Sequence, residues 1–80
     1  MLKNFKEPIS VNVDFDGTAR PKYFFWKGNR YDISKVQLMY KSREGENVIY
    51  YFEVTDNANY FKLAFYSLNL RWYLEGFQDI

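Results

Sequence analysis

Short runs in which apolar and polar residues alternate at every second position constrain this chain more than anything else in it. Residues 9–15 show the pattern first. Ile9, Val11, Val13 and Phe15 fall on one side, and Ser10, Asn12 and Asp14 on the other. A period of two marks a half-buried strand, because successive side chains leave opposite faces of the pleat. Asp16-Gly17 then reads as a turn, and Pro21 restricts how the next strand begins. Residues 22–27 are apolar on both sides, with Phe24 and Trp26 opposite Tyr23 and Phe25. Lys27-Gly28-Asn29-Arg30 supplies a two-residue hairpin centre, since Gly and Asn tolerate positive φ.

The third run changes parity. Tyr31 and Ile33 are odd, whereas Val36, Leu38 and Tyr40 are even, so a bulge or strand break is expected near Ser34-Lys35. Residues 43–47 form a polar loop. Val48, Tyr50, Phe52 and Val54 then share a face, with Ile49, Tyr51 and Glu53 opposite, and Thr55 to Asn59 is the next turn cluster. Residues 60–66 fit two periods. As a strand, Phe61, Leu63 and Phe65 point inward; as a helix, Tyr60, Leu63, Ala64 and Leu68 form a stripe. Aromatic content and short length favour the strand. Trp72 and Leu74 point inward in the last run, and Phe77 changes parity, which places a second bulge near Gly76.

Together these runs describe one all-β domain over residues 1–80. About six antiparallel strands follow one another as a meander, giving a strongly twisted sheet or a small partial barrel. The expected core is Val13, Phe24, Trp26, Ile33, Leu38, Phe52, Leu63, Trp72 and Leu74. A chain of 80 residues buries a modest share of its surface, and its eight Tyr, eight Phe and two Trp compensate with large side chains. That is more aromatic surface than one small core encloses, so some rings are expected at the surface.

Cysteine and histidine are both absent. Disulfides, thiol nucleophiles, Cys/His zinc sites and histidine proton shuttles are thereby excluded. Met1 to Phe5 lacks the apolar core of a leader, and no apolar run approaches the roughly 20 residues of a membrane helix. The expectation is a cytoplasmic protein with no membrane partner.

Charge is unevenly spread. From Arg20 to Arg43 there are seven basic residues and one acid, Asp32, threaded with six aromatics; the remainder carries four basic and nine acidic residues. Such asymmetry speaks about partners and not about fold. On one hairpin, Lys22, Lys27 and Arg30 could contact phosphates while Tyr23 and Phe25 stack on bases, the combination that grips single-stranded nucleic acid. The competing reading makes the rings core and the cations guards of an exposed edge. A net charge of only +1 favours the second.

Val13-Asp14-Phe15-Asp16-Gly17-Thr18 matches the D-x-D-G-T signature of haloacid-dehalogenase-like phosphatases, where the first carboxylate is the nucleophile. That chemistry needs a buried parallel strand before the first Asp. Ser10 and Asn12 interrupt the run here, and the chain after the motif is too short for the rest of such a site, so an Asp-Gly turn is expected instead. Glu44 and Glu46 flank Gly45 without the further oxygens a divalent ion requires. The serines have no histidine to activate them, and no phosphate cradle is present. The expectation is a non-enzymatic binding or interaction module without a cofactor, whose partner is another protein or a second copy. Single-stranded nucleic acid is the alternative, and a phosphatase the distant one.

Gly17, Pro21, Phe24, Trp26, Gly28 and Tyr31, followed by Val36 and Tyr40, resemble the pattern of a small bacterial domain family of unknown function. The second half fits it too: Tyr51, Val54, Thr55 and Asp56, then Tyr60, Leu63 and Tyr66, then Arg71-Trp72-Tyr73-Leu74 with Phe77 and Asp79. The resemblance spans Ile9 to Asp79 and implies a shared fold. The Trp-x-Leu ending is also similar to the C-terminal tail of the catalytically inactive, polymerase-like subunit of the bacterial mutasome. That likeness implies an association with DNA repair or with a polymerase partner.

Overall fold

In the computed structural model, which describes residues 3–79, eight antiparallel strands form two sheets. They are β1 (Lys3–Pro8), β2 (Ser10–Phe15), β3 (Ala19–Trp26), β4 (Asn29–Asp32), β5 (Lys35–Glu44), β6 (Asn47–Thr55), β7 (Asn59–Tyr66) and β8 (Arg71–Asp79). A five-stranded sheet runs β1-β8-β7-β6-β5, and a three-stranded sheet runs β2-β3-β4. Met1 and Leu2, part of the stretch read above as lacking a leader, lie outside the described residues.

The all-β meander is as expected, and eight strands replace six because two long strands turn a corner. The first passes from the large sheet to the small one at Ile9, whose N–H donates to the Trp72 carbonyl at 3.2 Å. The second returns at Ile33-Ser34. The Ile33 N–H donates to the Lys22 carbonyl at 2.9 Å and the Ser34 N–H to that of Thr55 at 2.9 Å, so adjacent residues hold different sheets. Strands that switch sheets through a bend are the usual way two packed sheets share a chain. The break expected near Ser34-Lys35 is this corner. The sheets are joined there but do not form a closed barrel.

Besides a one-residue shift in the β1–β8 pairing between Asn4 and Glu7, three single-residue bulges set the faces. Asn12 pairs with Tyr23 and Val13 with Pro21, leaving Lys22 as the extra residue. Val36 pairs with Val54 and Leu38 with Glu53, leaving Gln37. Lys62 pairs with Gly76 and Leu63 with Leu74, leaving Glu75, beside the position expected from the parity of Phe77. The bulge at Gln37 corrects the core. It turns Leu38 outward, where it is 50% exposed, and turns Met39 inward beside Phe52.

Phe24, Phe52, Val54, Phe61, Leu63 and Leu74 are buried between the sheets, and Trp26, Ile33 and Trp72 pack against them half-buried. Residues 60–66 are strand, as their aromatic content suggested. Phe24 joins the layers. Its ring stacks on Tyr31 at 5.3 Å and meets Phe61 edge-on at 4.9 Å, within the range of favourable ring pairs. The Trp26 indole N–H donates to Glu7 Oε1 at 2.9 Å, which ties β3 to β1.

The β3–β4 turn is one residue earlier than its sequence suggested. Trp26 pairs with Asn29, so Lys27 and Gly28 are the central residues, with φ of 51° and 79°. Positive φ at both positions is the type I′ arrangement, which suits the strand twist but disfavours lysine. Lys27→Asn creates the preferred Asn-Gly pair and is expected to stabilise the protein by about 0.5–1 kcal/mol. A higher urea midpoint at unchanged m-value checks this.

Candidate functional site: an apolar cleft between the sheets

The small sheet is shorter than the surface it covers. Beyond the tip of the β2–β3 hairpin, the inner face of the large sheet continues as a row in which Lys41 pairs with Tyr50, Tyr50 with Phe65 and Phe65 with Trp72. Between this row and the hairpin lies a cleft of about 410 Å³. Val13, Thr18 and Ala19 form its small-sheet wall, and Met39, Tyr50, Phe52, Phe65 and Trp72 its large-sheet wall. None of these eight side chains is charged.

Aromatic packing fixes the floor. The Trp72 ring lies 4.9 Å from Phe65 and 5.6 Å from Phe52, centroid to centroid. Phe52 is buried, while Met39 and Tyr50 are 52% and 38% exposed, so the cleft deepens towards Phe52 and opens over β5 and β6. Sequence reasoning singled out neither Met39 nor a cavity. Tyr50 and Phe65 were placed on the correct face, but a gap between sheets depends on how far one overhangs the other.

The residues proposed from sequence for nucleic-acid binding sit on the outer face of the small sheet. Tyr23 and Phe25 meet edge-on at 5.8 Å, and the Arg30 guanidinium lies over the Tyr23 ring at 3.8 Å. Arg30 also pairs with Asp32 through its Nε at 2.9 Å, the only ion pair among the described residues. Lys22 is the bulged residue beside them, and Lys27 leaves the group to lie over the Trp26 ring at 5.1 Å. Asp14 stands opposite Arg20 on this same face. Three of the five residues are thus brought together, with Arg30 already engaged. Asp14 and Asp16, the carboxylates of the phosphatase-like motif, are exposed on an antiparallel strand and the turn after it.

The outer face of the large sheet is a third surface, closed by its own side chains. Tyr40 stacks on Tyr51 at 5.1 Å, and Lys62 Nζ lies 4.6 Å from the Tyr51 ring. Lys6 Nζ sits over both Tyr66 and Tyr73, at 4.2 and 4.6 Å. The Tyr60 hydroxyl donates to Glu53 and that of Tyr66 to Glu75. Partial burial, reinforced by these carboxylates, pushes the Tyr60 and Tyr66 hydroxyls well above the usual phenol range. Both stay protonated donors at every physiological pH. Ala64 is fully buried on this face, packed among Ile49, Tyr66, Tyr51 and Tyr73.

Compared with known proteins, the chain matches no family, no curated protein and no solved structure. The likeness to a bacterial domain family therefore rests on the sequence pattern alone.

Proposed function

We propose that the protein is a non-enzymatic binding module and that the cleft between the sheets is where it holds its ligand. One observation carries this reading: a concave, uncharged surface walled by both sheets and left open to solvent. Binding pockets for small ligands are of this kind, mostly apolar and roughly 300–1,000 Å³ in volume. Leaving Met39 and Tyr50 exposed beside buried Phe52 costs hydrophobic stabilisation, which a ligand in the cleft recovers. The outer faces supply weaker platforms, since Arg30, Lys6 and Lys62 already lie on aromatic rings and Arg30 also pairs with an acid.

Nile red, a neutral dye that brightens in apolar surroundings, tests the proposal. It is expected to bind the native protein near one equivalent. Met39→Ser and Tyr50→Ser should each weaken binding about tenfold, a loss of about 1.4 kcal/mol. Phe25→Ser, on the outer face of the small sheet, should leave binding unchanged. Absence of binding to the folded protein, or equal loss in the Phe25 variant, overturns the assignment.

A further inference from the structure

The cleft has a chemically distinct mouth. Its exposed lining residues, Met39 and Tyr50, lie on β5 and β6, and the strand register continues past them without a shift to Arg43 and Val48. Lys41 is directly opposite Tyr50 and two residues beyond Met39, so it shares their face of the sheet. Arg43 follows on the same face, opposite Val48. Lys41, Ser42, Arg43 and Val48 also surround a smaller hollow. Both cations are exposed, and among the described residues neither joins an ion pair.

The acids nearby form no ion pair with them among the described residues. Glu44 falls on the opposite face of β5, and Glu46 is in the β5–β6 turn. Asp16 lies in the β2–β3 turn that carries Thr18, on the small-sheet wall. An uncharged interior with two free cations on the β5 rim is complementary to one shape of molecule: an apolar chain ending in a negative head.

Resting on the reading of the cleft as a ligand site, we propose that its ligand is a single-chain amphiphile with an anionic head, of the fatty-acid type. The chain lies against Phe52, Phe65 and Trp72, where each buried methylene adds affinity. The carboxylate stays at the solvent-exposed rim beside Lys41 and Arg43, so it is never desolvated in the apolar interior. Exposed cations contribute modestly and are screened by salt, so they select the head group while the walls supply most of the affinity.

Displacement of Nile red by decanoate, decanol and decyltrimethylammonium, each below its micelle concentration, separates the two levels of the argument. Decanoate is expected to bind about fivefold to tenfold more tightly than decanol at low salt. The cationic amphiphile should bind most weakly. The Lys41→Gln/Arg43→Gln double variant should bind decanoate and decanol equally, with its decanol affinity unchanged. Both positions are exposed, so the variant should retain the native near-ultraviolet circular dichroism. Equal binding of decanoate and decanol by the native protein, or a preference that survives in the double variant, overturns the anionic-head proposal while leaving the cleft as an apolar site. Failure of all three to displace the dye overturns it as well. So does a ligand-free dimer, seen by sedimentation, that dissociates on Met39→Ser, since the cleft would then be a subunit interface.

Discussion

Phe24→Ala is expected to lower the unfolding free energy by about 3–5 kcal/mol, the largest effect of any single truncation in the small sheet. Phe24 has no exposed surface, and its ring bridges Tyr31 on its own sheet to Phe61 on the other. Removing it deletes the transfer free energy of a large side chain and leaves a void that two other rings cannot collapse to fill. A domain of 80 residues has roughly 4–12 kcal/mol of stability in total, at about 0.05–0.15 kcal/mol per residue. The variant should therefore show a sharply lower urea midpoint, or be largely unfolded at 37 °C. A loss below 1 kcal/mol would mean that the two sheets are not packed through this ring.

A paired comparison gives the second large effect. Leu63→Ala should cost about 2–5 kcal/mol, whereas Leu38→Ala should cost less than about 0.5 kcal/mol. Leu63 is fully buried at the centre of β7, while Leu38 is half exposed on the outer face of β5. Plain alternation from Val36 would put both leucines in the core. The difference between the variants therefore reads out the bulge at Gln37 directly. Similar losses would restore the uninterrupted register and remove Met39 from the cleft, and the proposed ligand site with it.

Most of the strand pattern was written locally. The alternations of residues 9–15, 48–54 and 60–66 gave the correct inward faces of β2, β6 and β7, because one face of each strand must be apolar to pack, although Phe15 at the end of β2 is 74% exposed and outside the core. The parity changes at Tyr31–Val36 and at Phe77 gave the corner at Ile33-Ser34 and the bulge at Glu75, since a face can change sides only through an odd residue. The basic-aromatic hairpin was legible for the same reason: Tyr23, Phe25 and Arg30 lie on one outer face of paired strands.

What the sequence could not carry was decided between elements. Residues 36–40 read equally well with or without a bulge, because Leu38 and Met39 are both apolar; only the pairing of β5 with β6 selects Met39 for the inner face. β1 joined the sheet without an alternation signal, because its hydrogen bonds to β8 depend on where the chain turns at Ile9. The cleft is the clearest case. Its eight lining residues come from six strands and a turn, from position 13 to position 72, and no window of the chain contains its shape. Alternation along a strand fixes which way a side chain points. The empty space opposite it depends on the length and placement of the other sheet, and that is a property of the packed molecule alone.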